Sequence, residues 1–206
     1  MTDELMEALM DGDSALIKEA VGANRARLNQ PDEAGMTPLH HLMEIDLENR
    51  ADLISLMVEH GADVKLGDLY GLTPLHLAAR ATWVEDSATF EALLTAGANV
   101  NAVTPYGLTA LHFAMDIDVV RFLVQSGADV NAATATGHSI LHVHACSPDA
   151  IDFLISEGAV VDVIRGDGWT PLDVAMAEGA HEAVLALLDH GARTGKEAIT
   201  STPPKP

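Results

Sequence analysis

Four stretches of the chain place apolar residues three and four positions apart, with polar residues between them. Leu53, Leu56 and Met57 form one set, Phe90, Leu93 and Leu94 a second, Val119, Phe122 and Leu123 a third, and Val184, Leu187 and Leu188 a fourth. This spacing follows the turn of an α-helix, so each set predicts a short helix with one apolar face. The sets stop at Gly61-Ala62, Gly97-Ala98, Gly127-Ala128 and Gly191-Ala192, and a fifth such pair stands at Gly158-Ala159. Glycine ends a helix in the left-handed cap conformation without steric cost.

A second pattern precedes each apolar set. GMTPLH (35–40), GLTPLH (71–76), GLTALH (107–112), GHSILH (137–142) and GWTPLD (168–173) recur at steps of 36, 36, 30 and 31 residues. Thr37, Thr73, Thr109, Ser139 and Thr170 can cap a helix N-terminus, and Pro38, Pro74 and Pro171 fall at the first helical position, where no donor is missed. Each motif therefore predicts a further short helix. Ala110 and Ile140 stand where the other motifs have proline, which should loosen the helix start without preventing it. From each of the first four Gly-Ala glycines to the next motif glycine is always ten residues. A fixed connector thus joins units that differ inside, and the length changes fall between the two helices, around Glu44 to Arg50, Ala81 to Ser87, Asp116 to Ile117 and Cys146 to Ser147. Insertions at one edge mark a face free to vary, and sometimes the binding face.

Neither helix of a unit is long enough to be stable alone, so the units must stack. The expected architecture is an all-α repeat solenoid of short antiparallel helix pairs with projecting hairpin loops. Repeats lie near 31–66, 67–102, 103–132, 133–163 and 164–195, within one domain spanning 1–195. Residues 1–30 lack the motif, but LMEALMDGD and SALIKEAVGAN read as a helix, a tight turn and a second helix ending at Gly22, a diverged N-terminal capping unit. The tail, 196–206, has three prolines and no apolar stripe and is expected to be disordered.

The five coordinated copies, with T-P-L-H and a period of about 33 residues, resemble the ankyrin repeat. The resemblance covers about residues 30 to 192. It implies helix pairs followed by a hairpin-like loop at roughly a right angle, and it implies that His40, His76, His112 and His142 tie adjacent units together by hydrogen bonding to backbone. Asp173 departs from the histidine, as expected near the end of an array where no further unit demands the same bond. Asn101 and Asn131 fall where asparagine hydroxylases modify some proteins of this family; they read equally well as ordinary loop residues.

Composition narrows the partners. Aromatics are only 4% of the chain against 48% hydrophobic residues, which points to a core of Leu, Val, Ala and Met. The 31 acidic and 11 basic residues give a formal charge of -20. Such a surface repels nucleic acid and anionic lipid and steers in a protein with a basic patch. A single cysteine, Cys146, allows no internal disulfide. The acidic start, MTDELMEALMDGD, lacks a secretory pattern, so the expected compartment is the cytoplasm, with the periplasm or secretion open if a signal was removed.

No cofactor, metal or catalytic residue is expected, and the chain reads as a non-enzyme. His138, His142, His144 and Cys146 would have to converge to hold a metal, but His138 precedes the helix cap, His142 has a structural role, and His142 and His144 are two apart on the predicted helix. Cys146 lacks a positioned base and oxyanion donors and reads as a small buried or half-buried residue. The acidic residues Asp11, Asp13, Glu44, Asp46 and Glu48 lack the order of a calcium loop and read as a solvated face.

In proteins that this chain resembles, partners lie across loop tips and inner helices. By register, the residues before each motif glycine include Leu69 with Tyr70 and Pro105 with Tyr106, and those after it are Met36, Leu72, Leu108, His138 and Trp169. Both tyrosines of the chain, Tyr70 and Tyr106, thus fall at one position in consecutive repeats. Candidate partner-binding residues are Tyr70, Leu72, Tyr106, Leu108, Trp169 and Met36, with Trp83 in the inserted stretch and Glu44, Arg80 and Asp116 toward the groove. The expected function is a protein-interaction module, an adaptor or a stoichiometric inhibitor or self-protection protein, monomeric when free. The alternatives are a bacterial effector acting on host proteins and a structural homo-oligomer.

Overall fold

The computed structural model describes residues 4–81 and 87–201. Thirteen α-helices occur among them, and the chain divides into two compact units, Met1–Pro105 and Tyr106–Pro206.

The first unit holds α1 (Glu4–Asp11), α2 (Ser14–Ala23), α3 (Pro38–Leu42), α4 (Arg50–Glu59), α5 (Pro74–Arg80) and α6 (Ser87–Thr95). They pack as three pairs, with α1, α3 and α5 in one row and α2, α4 and α6 in the other. Leu5, Ile17, Leu39, Leu42, Leu53, Ile54, Met57 and Leu93 are fully buried between the rows. Between α1 and α2, Gly12 turns the chain at φ 66°, and the Asp13 carboxylate caps α2 by accepting the N–H groups of Ala15 and Leu16. The helix continues past Gly22, to Ala23.

The second unit holds α7 (Ala110–Phe113), α8 (Ile117–Gln125), α9 (Ile140–Val143), α10 (Pro148–Ser156), α11 (Pro171–Ala177), α12 (His181–Asp189) and α13 (Gly195–Ser201). The rows are α7, α9, α11 and α8, α10, α12. Leu111, Val120, Leu123, Ile140, Ile151, Leu154, Ala175 and Leu187 fill the space between them. The two proline-free motifs still open helices at the residue where proline would stand, but α7 and α9 are four residues long while α5 and α11 have seven. Among the described residues there is no named strand, only an antiparallel bridge from Ala133 to Ser139 in a hairpin.

Glycine serves two purposes. Gly61, Gly97, Gly127, Gly158 and Gly191 end their helices at φ between 77° and 103°, as the sequence predicts. The motif glycines also have positive φ, for a reason the sequence reading did not supply. A Cβ on Gly71 would lie 2.6 Å from Pro105 Cδ, and one on Gly35 would lie 2.6 Å from the Leu69 nitrogen. The backbone of one hairpin tip runs directly against the next tip there, closer than any side chain allows.

The tail differs from expectation. Residues 195–201 form α13, with Ala198 buried. At the start of this helix Gly195 N–H donates to Asp173, and the N–H and hydroxyl of Thr194 donate to Glu197.

Candidate partner-binding surface

The motif histidines build the frame on which the tips sit. Thr37 N–H reaches His40 Nδ1 at 3.0 Å, and the same bond recurs from Thr73 to His76 at 3.1 Å, Thr109 to His112 at 3.1 Å and Ser139 to His142 at 3.3 Å. A backbone N–H can only donate, so Nδ1 is the acceptor and the ring proton sits on Nε2. That Nε2–H donates to a carbonyl further along, from His40 to Leu72 at 2.9 Å, His112 to His138 at 3.2 Å and His142 to Trp169 at 3.1 Å in the next repeat, and from His76 to Ala102 at 3.1 Å in the connector that ends its own repeat. Each ring therefore closes a capping box in its own helix and ties down a neighbouring loop. Burial pushes the pKa of His40 below the ordinary value and that of His142 down to about 4, against the opposing pull of the carbonyl each ring bonds. Both rings are neutral at pH 7.

The hairpins close on residues that the sequence reading passed over. Asp32 N–H donates to the Met36 carbonyl, and its carboxylate accepts the N–H groups of Ala34 and Met36 at 2.8 and 2.9 Å. Asp68 repeats the arrangement with Leu72, Tyr70 and Leu72 N–H. Thr134 does so through its hydroxyl and His138. The signal was a short oxygen-bearing side chain three residues before the motif glycine, where an Asx-type turn needs it. Asparagine at the connector has a further task. Asn131 donates to the Gly158 carbonyl at 3.0 Å and accepts Val160 N–H at 2.8 Å, and Asn29 makes the same pair with Gly61 and Asp63.

On this frame, Tyr70 is 64% exposed and Tyr106 is 62% exposed, each at a hairpin tip of its own unit. Leu69 is 72% exposed beside Tyr70. Met36, Leu72 and Leu108 are half-buried. Trp169 is exposed, with the Arg165 guanidinium 5.6 Å above its ring and Arg165 in turn paired with Asp167 at 2.7 Å. Glu44 and Arg80 are exposed and pair at 3.5 Å, while the Asp116 carboxylate caps α8 by accepting Asp118 N–H at 2.7 Å. Trp83 lies outside the described residues.

The His/Cys run separates. His138 lies edge-on to His142 at 5.5 Å, whereas α9 ends at Val143, so His144 is its C-cap and Cys146 lies beyond the helix. His144 is buried, and its Nε2 has no hydrogen-bond partner; burial keeps its pKa low, so the ring is neutral. Cys146 is exposed, where a buried or half-buried residue is expected; it lies beyond the end of α9. Among the described residues no three His, Cys, Asp or Glu side chains could hold a metal ion, and no helix is long and apolar enough to cross a membrane.

Stacked helix pairs with histidine-tied, aromatic-bearing hairpins define a repeat protein of the protein-interaction class. The chain belongs to the ankyrin-repeat family: the family model for ankyrin repeats (3 copies) matches residues 5–104 and 115–198. Among solved structures it is similar to one chain of the complex of Bd0816 predatory endopeptidase from Bdellovibrio bacteriovorus with immunity protein Bd3460, at 29% identity and a TM-score of 0.75, covering 91% of this chain and 98% of that one. It is also similar to the ankyrin repeat domain of Bcl-3, a member of the IkappaB family, at 26% identity and a TM-score of 0.77, covering 93% and 87%. The ankyrin repeat protein EF0377 shares the fold at 22% identity and a TM-score of 0.76, covering 91% and 98%. No curated protein matches the sequence.

Proposed function

We propose that the chain is a stoichiometric inhibitor or self-protection protein, binding one partner protein through its hairpin tips and inner helices. The observation that carries the reading is the exposure of Tyr70 and Tyr106 at hairpin tips held rigid from below. Large aromatics that already have fixed backbones lose little freedom on binding and make efficient anchors. The surplus of 31 acidic over 11 basic residues supplies a charged surround that favours a partner with a basic patch. Inhibition is preferred over simple adaptor work because one similar structure is a complex of an endopeptidase with its immunity protein, over 98% of the matched chain. The adaptor reading keeps support from the likeness to the Bcl-3 ankyrin domain.

The test is affinity capture from the source cell with wild-type protein and with the Tyr70→Ala, Tyr106→Ala, Trp169→Ala variant, followed by assay of the captured partner. The expected result is a one-to-one complex with wild type, weakened at least about 100-fold by the triple substitution, in which an enzymatic activity of the partner is suppressed. Equal capture by both proteins would remove the tips from the reading. Full activity of the complexed partner would favour the adaptor.

A further inference from the structure

The second unit holds a histidine where the other repeats hold a hydrocarbon. Two residues past the motif histidine or aspartate stand Leu42, Ala78, Ala114, His144 and Ala175. The four apolar side chains are fully buried, and His144 is 5% exposed at the same place in its repeat. Its imidazole therefore belongs to the core and not to the frame that His142 builds.

The two ring nitrogens are unequal. Nε2 is buried and has no hydrogen-bond partner among the described residues, so the bond that the ring makes to the Ala114 backbone is made by Nδ1. That bond favours the protonated ring, which identifies the Ala114 carbonyl as the acceptor and puts the proton of the neutral ring on Nδ1. The length of α7 explains the bond. In α5, seven residues long, the equivalent carbonyl of Ala78 accepts Ala81 N–H at 3.2 Å within its own helix. The shorter α7 stops at Phe113 and leaves the Ala114 carbonyl past a helix end, where His144 reaches it from the next repeat.

This arrangement suits a neutral ring only. A second proton goes to Nε2, where it meets no acceptor, and a buried charge without a counter-ion is strongly disfavoured. From α7 the titratable neighbour is His112, whose own charge would add to the penalty. The charged groups of the other packed elements offer no relief. Asp173 on α11 accepts from Thr170 and Gly195, Asp116 caps α8, and Arg121 on α8 lies over the Phe153 ring. Asp118, Asp149 and Cys146 are exposed, and His142 on the same helix is bonded to the Trp169 carbonyl. Burial, opposed by the Ala114 carbonyl, holds the His144 pKa below its ordinary 6.5.

We infer that His144 is an acid-sensitive latch. Neutral, it holds the end of α7 to the end of α9; on taking a proton it opens the second unit, while the first unit, with Leu42 and Ala78 at that position, stays closed at the same pH. The native ring is the neutral one, so its contribution is complete above about pH 6.5 and is lost as the pH falls below that value. Tyr106 precedes the start of α7 by four residues, so the opened state loosens a hairpin of the candidate surface. That consequence rests on the reading of the chain as a protein-binding module; the opening itself does not.

The experiment measures amide-exchange protection factors, which are corrected for the intrinsic effect of pH, at pH 7 and pH 5 in the full chain. Wild type is compared with His144→Ala, the residue of three other repeats, and with His144→Asn, which can still donate to Ala114 but does not titrate. The expected result is that α9 and α10 of wild type lose at least about five-fold more protection on acidification than α4, and that both variants lack this extra loss. At pH 7 the asparagine variant keeps α9 better protected than the alanine variant. Equal losses in α4 and α9, or an extra loss that persists in both variants, would overturn the proposal. Should both variants fold poorly, the wild-type ring decides alone. Its nitrogen NMR signals should show Nε2 unprotonated at pH 7, with ring protonation coinciding with the loss of α9 protection; a ring that takes its proton while α9 stays protected overturns the latch. None of these readouts involves a partner or a tip residue, so the latch and the proposed function fail separately.

Discussion

The carboxylate of Asp173 accepts the backbone N–H of Gly195 at 2.7 Å, while the same oxygen receives the N–H and hydroxyl of Thr170, each at 2.9 Å. Asp173 occupies the motif position held by histidine in the four preceding repeats. A histidine there donates to a carbonyl further along, whereas the aspartate accepts a donor from α13. The bond between successive segments is kept with its direction reversed, because the next segment begins a helix and offers an unpaired N–H. Position 173 does not make the histidine's bond, in line with expectation, but it makes another, and residues 195–201 of the tail expected to be disordered form α13.

Asp173→Ala should therefore detach α13 selectively. Three bonds to one partly buried carboxylate are lost, and a destabilisation of about 1–3 kcal/mol is expected in the last repeat. Hydrogen exchange should accelerate for residues 195–201 and for Thr170, with the α1 to α6 helices unchanged. Protection of 195–201 equal to wild type would show that the tail is held otherwise.

Much of the fold was legible because stacked repeats write their constraints several times over. Thr73, Pro74, His76 and Gly97 each have a local physical task, and repetition at fixed spacing separates task from accident. The hidden parts lack a local signature. Nothing near Gly71 in the sequence shows that Pro105, more than thirty positions on, will close against it. Nothing local marks Arg50 for burial, yet its guanidinium is buried under loop carbonyls supplied by Leu42 and Ile45. Of the candidate surface, Tyr70 and Tyr106 stand out toward solvent, whereas Asp116 is engaged in capping α8, as its place one residue before the helix could have suggested.

The two classes of glycine should respond differently to alanine. Gly61 has φ 103° and open space where a Cβ would stand, so Gly61→Ala carries only backbone strain, about 1–2 kcal/mol. Gly71 has φ 76° and would also drive a Cβ to 2.6 Å from Pro105. Gly71→Ala should be the more damaging of the two by at least about 1 kcal/mol, read as the difference in urea midpoints at equal slope. Equal midpoints would mean the hairpin tips part easily.

Asn131 carries a donor and an acceptor bond to the following connector. Asn131→Asp keeps an acceptor for Val160 N–H but sets a carboxylate oxygen against the Gly158 carbonyl. The expected cost is about 1 kcal/mol, rising at low salt because the chain already carries a charge of -20. Asn131→Ala should cost a similar amount with no salt dependence. Thermal melts of both variants at two ionic strengths distinguish the charge from the lost bond.

Acid should loosen the histidine frame before it protonates most carboxylates. His142 is 3% exposed, and burial lowers its pKa from 6.5 to about 4, although the Trp169 carbonyl works in the other direction. The neutral ring is the native form, so the unfolded chain binds the extra proton more readily. Stability from this group is complete above about pH 6.5 and is lost as the pH falls toward 4. A difference of that size is worth about 3 kcal/mol, at roughly 1.4 kcal/mol per pH unit. His40 shifts in the same direction for the same reason and adds to the slope. Asp173 is held below its ordinary range in spite of burial, because Thr170 and Gly195 donate to it, so its contribution disappears only at the acid end of the range. Urea unfolding of wild type between pH 7 and 4.5 should show a falling midpoint, and His142→Gln, less stable at pH 7, should show a shallower fall. Parallel slopes for the two proteins would mean that His142 titrates alike in the folded and unfolded chain, and that the frame accepts the charged ring without cost.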